Sequence, residues 1–378
     1  MKILIIRTFP NIMNFKQYNV QEIGLAKALV RKGYECGIVF YNGKNKDEVE
    51  YIPVECDGET RNISVYKLHG YNILKNGIFP SLRKITKKYD VLQVHEYDQI
   101  TSWLYYAWSK KPVVIYHGPY YDAFNKGYNL KCMVFDNIFL RIKHNKETPC
   151  LAKSHAAADF LKMKGFKNVT AVGVGLDVDN FSAEIVREKD KFEIEEDKFT
   201  ILYVGKIEER RNSLFLADVM EEITERYEDV QCIVIGNGEK AYTDAFLTKI
   251  TPLIETGKVR YFPSATQIQL ADLYQKASLM LFPSNYEIFG MVLAEAVYFG
   301  LPIVSTLNGG SDMLIKSEEQ GYIVPTFEIK DWINTIEIFY KQEKWMNHSK
   351  KYNKRVLWDY IVEDMVEVYQ NVYEKYIS

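Results

Sequence analysis

Glu287 and Glu295 stand eight positions apart in FPSNYEIFGMVLAEAVYFGLPIVSTLNGG, residues 282–310. Between them a periodic apolar stretch begins near Phe289 and runs to Phe299. It stops at Gly300-Leu301-Pro302, the Gly-then-Pro order that ends helices. A short apolar run over Ala277–Phe282 precedes it and Ile303-Val304-Ser305 follows, so one helix is expected between two strands. Its N-terminus then sits at the carboxyl end of the first strand. A helix start leaves backbone N–H groups unpaired and carries partial positive charge, which suits an anion such as a diphosphate. Two carboxylates beside that anion can accept hydroxyl hydrogens. A molecule that offers phosphates and hydroxyls together is a nucleotide-sugar.

Other residues could join this chemistry. Lys206 follows Gly205 at the end of the run FTILYV, with Arg210 and Arg211 close behind. Cations at a strand's carboxyl end are placed to neutralise a diphosphate, although a solvated basic turn has the same sequence. His117-Gly118 ends PVVIYH and His95 ends DVLQVH, and each histidine is open to a structural or a site reading. Gly236-Asn237-Gly238-Glu239-Lys240-Ala241 fits G-x-G-x-x-A formally. It follows the second strand of its half and not the first, so a glycine turn that lets backbone approach a ligand is the better expectation than NAD binding. Asp177-Val178-Asp179 has the D-x-D form of a metal site, yet a turn or helix cap explains it equally, and no other His/Asp/Cys cluster has ligand spacing. No nucleophile-elbow pattern supports a hydrolase triad.

These residues need strands and helices to hold them. Lys2–Arg7 reads as a buried parallel strand because its apolar run is continuous. Gln21–Lys32 reads as a helix closed by Gly33, and Cys36–Tyr41 as the next strand. Residues 42–62 show weak strand or loop character, Val65–Leu68 a strand, and Leu74–Lys88 a helix broken at Pro80. Asp90–His95, Gln99–Ser109 and Pro112–His117 continue the alternation. From Phe199 it begins again, with strands at Phe199–Val204, Val230–Ile235 and Val259–Phe262 and helices between. A helical tail runs from about Glu328, with Trp332, Trp345 and Trp358 as apolar anchors. Alternating strands and helices imply parallel sheets covered on both faces. Two doubly wound α/β domains are therefore expected in tandem, binding ligands at their strands' carboxyl ends across a facing cleft. The boundaries expected are 1–181, a charged linker at 182–198, and 199–359, with a last helix at about 360–378 crossing back to the first domain.

Composition narrows the class. A 378-residue chain with 47% hydrophobic and 26% charged residues is long enough for two globular domains. Residues 1–181 carry 26 basic and 17 acidic side chains, whereas the rest carry 22 and 33, so the halves suit different partners. Five scattered cysteines suggest reduced core thiols in a cytoplasmic protein. No apolar window approaches a membrane span. Residues 120–147 mix Tyr120, Tyr121, Phe124, Phe135 and Phe139 with Lys126, Lys131, Arg141, Lys143 and Lys146. Two readings are open there: a core-facing helix with a solvated basic side, or a basic amphipathic segment touching the inner face of an anionic membrane.

Taken together, E-x7-E within PSNYEIFGMVLAEAVYFGLPIVS, YVGKIEERRN, IGNGE and VIYHG resemble the retaining GT-B-fold glycosyltransferases of the family 4 type. The resemblance is strongest over residues 199–312. It implies transfer of a sugar from a nucleotide-diphosphate sugar to a saccharide or lipid-linked acceptor, in bacterial surface polysaccharide or glycolipid synthesis. No nucleic acid, metal or cofactor is expected. It implies that Glu287 holds sugar hydroxyls, Glu295 the ribose, and Lys206 and Arg211 the diphosphate. His117 would lie near the transferred sugar. Phe289, Gly290, Met291 and Val292 would offer helix-start amides, with Gly205, Gly236 and Asn237 beside the donor. Asn14, Lys16, His95 and Gly118 are the acceptor-side candidates, the least transferable part, since the loop FPNIMNFKQYN lacks the family's Gly-Gly pair. Two other functions fit the same fold: a nucleotide-sugar epimerase, which would need a base at the sugar's C2, and a non-catalytic nucleotide-sugar-binding protein.

Overall fold

The computed structural model describes residues 1–14, 20–179, 192, 194, 195, 197–342 and 352–378. Lys16, Trp345 and most of the expected linker lie outside them. The chain divides into two compact units, Met1–Asp177 with Leu357–Ser378, and Val178–Val356.

The first unit is built on an eight-stranded sheet. Its strands are β1 (Lys2–Ile6), β2 (Glu35–Tyr41), β3 (Glu48–Cys56), β4 (Glu59–Leu68), β7 (Val91–His95), β8 (Val113–His117), β9 (Cys150–Ala152) and β10 (Val169–Ala171). A separate hairpin pairs β5 (Tyr71–Ile73) with β6 (Asn76–Ile78). The order across the sheet is β10-β9-β8-β7-β1-β2-β4-β3, parallel except for β3. The strand order reverses between β1 and β7, the point where such sheets open a crevice at their carboxyl ends. Ile3 to Ile6 of β1 are fully buried, as a strand covered on both faces must be.

Turn chemistry decides one open sequence expectation here and overturns another. Residues 42–62 hold a regular strand: β3 pairs antiparallel with β4 through Asp57-Gly58, both at positive φ. Asp-Gly is a strong signal for that two-residue turn. The helix expected over Leu74–Lys88 is instead the β5–β6 hairpin followed by a short helix, Leu82–Thr86. Leu74 and Lys75 take positive φ, and side chains hold them there: Lys75 N donates to Asn72 Oδ1 (3.1 Å), and Asn76 Nδ2 donates to Leu74 O (2.9 Å).

The last helix, Trp358–Ile377, belongs to the first unit. Trp358 is fully buried where Gly24 and Gly175 make room; a Cβ would come within 2.4 Å of its ring at Gly24 and 2.5 Å at Gly175. Lys27 Nζ ties the start of the passage out of this unit by an ion pair to Asp177 (2.7 Å).

The second unit has six parallel strands, β11 (Phe199–Val204), β12 (Val230–Ile235), β13 (Val259–Phe262), β14 (Leu279–Phe282), β15 (Ile303–Ser305) and β16 (Gly321–Ile323). Their order is β13-β12-β11-β14-β15-β16, with the reversal between β11 and β14. This is the dinucleotide-fold order 3-2-1-4-5-6. Its core joins the strands' apolar residues to Trp332, Ile333 and Ile336 of the helix Ile329–Tyr340. All five cysteines are buried and unpaired.

Candidate functional site

In the second unit the reversal point collects the charged residues. The chain leaves β11 at Gly205 and Lys206, makes a tight turn over Glu209–Arg211, and starts a helix at Ser213. From the other side it leaves β14 at Pro283 and reaches the helix Met291–Tyr298 through Ser284–Gly290. Asn285 N donates to Arg210 O (2.9 Å), which fastens the two loops. Glu287 is buried, and its Oε1 receives two cations: Arg210 Nη1 and Arg211 Nη2, each at 2.7 Å. Arg210 also bonds Glu208 Oε1 (2.6 Å), and the Arg211 guanidinium lies 4.8 Å from the Phe282 ring centre. Burial works against the Arg210 charge, but Glu287 and Glu208 outweigh it and raise its pKa.

The basic turn suggests both arginines beside the diphosphate, whereas the family resemblance implies a role for Arg211 alone; the structure brings both to the same carboxylate oxygen. Lys206 is exposed and has no acidic partner among the described residues. Gly290 takes φ +74 to open the helix, whose first amides have no carbonyl one turn earlier to bond. Gly310 fits directly under this corner, because a Cβ there would meet Phe289 O at 1.8 Å. Glu295, four residues into the helix, is buried and accepts from Tyr274 Oη (2.8 Å).

The glycines of the G-x-G-x-x-A stretch make room for the chain's own backbone. A Cβ on Gly236 would lie 1.7 Å from Gly205 O, and one on Gly238 would lie 1.8 Å from Ile207 O. The backbone they admit is that of the neighbouring strand, which Ile207 N continues by donating to Asn237 O (2.9 Å).

In the first unit, His117 at the end of β8 is fully buried. Its Nδ1 lies 2.6 Å from Glu96 Oε2, and its Nε2 lies 3.4 Å from the Tyr128 hydroxyl. Gly118 N donates to Glu96 Oε2 (3.2 Å). Burial would raise the Glu96 pKa; His117, Lys153 and the Gly118 amide override it and hold the carboxyl at about 2. Asp98 pairs with Lys131 (2.7 Å). Glu96, Asp98 and His117 bring one ligand atom each within 4.8 Å of the others, a cluster that residue spacing did not reveal. Glu96 and Asp98 are already matched by His117, Lys153 and Lys131, which fits a charge network better than a metal site. Asp177 of the D-x-D stretch is likewise held by Lys27.

His95 is buried in the packing. Its Nδ1 is 3.3 Å from Glu22 Oε1, its Nε2 is 3.1 Å from Gln93 Nε2, and Gln93 accepts from the Tyr369 hydroxyl of the last helix. Arg7 Nη1 pairs with Glu22 (2.8 Å). Burial raises the Glu22 pKa, and Arg7 and His95 outweigh it to hold this carboxyl far below its usual range. Asn14 is exposed, and Lys16 is outside the described residues.

Residues 185–356 match the family of glycosyl transferases group 1. Curated relatives include the D-inositol 3-phosphate glycosyltransferases of Mycobacteroides abscessus and Mycolicibacterium smegmatis. The first is 26% identical over 44% of this chain and 38% of the relative. The second is 24% identical over 55% of this chain and 48% of the relative. The chain thus spans less than half the length of these two relatives. Over the whole chain the fold is similar to that of Anabaena HepE, solved with UDP and glucose (TM-score 0.64, 15% identity, 98% of this chain and 100% of that chain). Sucrose-phosphate synthase of Thermosynechococcus elongatus is similar at a TM-score of 0.67, with 16% identity over 99% of each chain. The chain has the GT-B fold, and the match to the glycosyl transferases group 1 family lies in its second unit.

Proposed function

We propose that this chain moves a sugar from a nucleoside-diphosphate sugar to a saccharide or lipid-linked acceptor, with retention at the transferred carbon, in bacterial surface polysaccharide or glycolipid synthesis. The observation that carries the reading is the pair Arg210 and Arg211 on Glu287, beside Lys206 and a helix start, at the strand reversal of the second unit. Departure of a nucleoside diphosphate builds negative charge on oxygen. Cations and amides already held in place stabilise that charge without reorganising, each worth roughly 2.7–4 kcal/mol where the analogous oxyanion donors have been removed. In this reading Lys206, Arg210 and Arg211 supply the positive charge, and the reaction needs no metal ion. Glu287, its carboxylate oriented by the two arginines, accepts hydroxyl hydrogens of the sugar, and Glu295 those of the ribose. His117 meets the transferred sugar. HepE's complexes with UDP and glucose support a nucleotide-sugar donor.

The acceptor side includes a surface suited to lipid. The helix Lys126–Phe135 and its continuation expose Leu130, Val134, Ile138 and Ile142, spaced four apart on one face, while Cys132 and Phe135 fill the core. Arg141, Lys143 and Lys146 are exposed beside them. This pattern fits peripheral contact with an anionic bilayer at the cytoplasmic face. Among the described residues no helix is long and apolar enough to cross a membrane.

A thermal-shift panel of UDP, GDP and ADP with their sugars, followed by turnover of the best donor with and without EDTA, tests the first reading. Stabilisation by one nucleotide-sugar and EDTA-resistant transfer, lost in Glu287→Ala and Lys206→Ala, is expected; near-normal turnover in both variants refutes the site. Sedimentation with phosphatidylglycerol vesicles tests the second: binding that weakens in Val134→Glu/Ile138→Glu is expected, and no binding at low salt rejects it.

A further inference from the structure

We infer that the β5–β6 hairpin is a membrane anchor of its own. Its tip, Leu74-Lys75, enters the headgroup layer of an anionic bilayer, the leucine reaching the acyl chains and the lysine meeting lipid phosphate. The inference deepens the reading of peripheral membrane contact given above and rests on it for the kind of surface met. Its evidence comes from a different part of the chain.

Two hairpins in the first unit close through two-residue turns. β3 and β4 turn through Asp57-Gly58, with Cys56 opposite Glu59; β5 and β6 turn through Leu74-Lys75, with Ile73 opposite Asn76. All four turn residues take positive φ, from 49 to 84. Asp and Gly suit that conformation, whereas Leu and Lys do not. Strain of this kind persists only where the surroundings impose it. Here they do: Asn76 Oδ1 accepts from Ile100 N (2.9 Å), Thr101 Oγ1 donates to Gly77 O (2.6 Å), and Gly77 N donates to Thr8 O (2.9 Å). The root of the hairpin is thus fastened to helix Ile100–Trp108 and to the loop after β1. Leu74 at the tip is 87% exposed, with Ile73 and Tyr71 half-exposed behind it. A turn that strains the backbone and presents its apolar side chain to water points to use outside the fold.

Size and charge select the occupant. Three side chains on a narrow tip fall far short of the roughly 800 Å² per partner that a stable protein interface buries. A bilayer sets no such minimum; it takes a single apolar side chain, with aromatic and basic residues at the headgroup level. Lys75 is exposed, and Gly70 N donates to Gly43 O (2.9 Å), which brings the loop carrying exposed Lys44 and Lys46 beside the root. Asp47, the acidic neighbour, has its Oδ1 taken by His69 N (2.7 Å). The tip also adjoins the helix Lys126–Phe135. With its amide turned so that both ends are satisfied, Gln99 donates to Lys75 O (3.2 Å) and accepts from Lys131 Nζ (2.8 Å).

All five native cysteines are buried, so a full-length Leu74→Cys chain takes an environment-sensitive dye at the tip alone. Its emission should rise and shift to the blue on phosphatidylglycerol vesicles at low salt, and stay unchanged with phosphatidylcholine. Leu74→Asn/Lys75→Gly supplies the residues that the turn prefers. It should melt above wild type, yet bind the same vesicles about tenfold or more weakly, the loss of one inserted leucine. A silent dye on a chain that sediments with the vesicles, a turn variant that melts lower, or unchanged vesicle binding in that variant overturns the inference and leaves the helix reading standing. A dye response that grows with protein concentration in the absence of lipid assigns the tip to a second copy and overturns it as well. A response that survives in Val134→Glu/Ile138→Glu, with sedimentation unchanged, removes the helix face and keeps the tip. No sedimentation of the unsubstituted chain at low salt removes both.

Discussion

Replacing Glu287 by alanine is the sharpest perturbation of the second unit. Its carboxylate is 9% exposed and lies 2.7 Å from guanidinium groups that are 28% and 13% exposed. Without it, two arginines face each other with only Glu208 nearby, 2.6 Å from Arg210. Losing one partner of a buried ion pair costs about 3–5 kcal/mol; Arg210 keeps Glu208 and some water, so about 3 kcal/mol is expected. For a unit of this size that lowers its melting midpoint by about 6–12 °C. Differential scanning calorimetry of Glu287→Ala, Arg211→Met and the double variant measures it. The double variant should recover part of the loss, with a coupling of about 1–3 kcal/mol. Binding separates the electrostatic role from the sugar contact: the variant keeps Lys206, Arg210 and Arg211, so a nucleoside diphosphate should bind no more weakly, while the advantage of its sugar conjugate disappears. A Glu287→Ala chain that melts within about 1 °C of wild type would refute the pairing energetics. One that still prefers the sugar conjugate would refute the sugar contact.

Three further outcomes are expected. Gly310→Ala places a Cβ 1.8 Å from Phe289 O, so either helix Gly309–Leu314 or the 287–290 corner must shift; a cost of about 1–3 kcal/mol in urea unfolding is expected, with donor turnover reduced. Glu96 has its pKa held at about 2, below the ordinary 4.5 of a glutamate, so its contribution is complete above pH 4.5 and is lost as pH falls toward 2. That contribution is on the order of 3 kcal/mol, and Glu96→Gln should flatten the acid limb of stability against pH in this window. Trp358→Ala empties the pocket formed with Gly24 and Gly175 and should cost about 3–5 kcal/mol, read as loss of near-ultraviolet dichroism and earlier urea unfolding.

Local residue patterns were enough to set the alternation of buried strands and amphipathic helices, since continuous apolar runs such as Lys2–Ile6 and Phe199–Val204 have few other ways to be satisfied. They also placed Glu287 before a helix start, because Gly290, the periodic stretch and Gly300 are local signals. Tertiary structure decided what those local signals do not encode. Arg210 and Arg211 are neighbours in sequence, and both reach Glu287 only because the Glu208–Asn212 turn packs on the 284–287 loop. Glu96 meets His117 only through the pairing of β7 with β8. Gly236 admits the backbone of Gly205 because parallel strands converge there. His95 and Glu22, 73 positions apart, meet because helix Gln21–Arg31 packs against the sheet that carries β7. Local periodicity reports which residues face inward. Only the path of the chain sets which of the inward groups meet, and the chemistry of both candidate centres depends on those meetings.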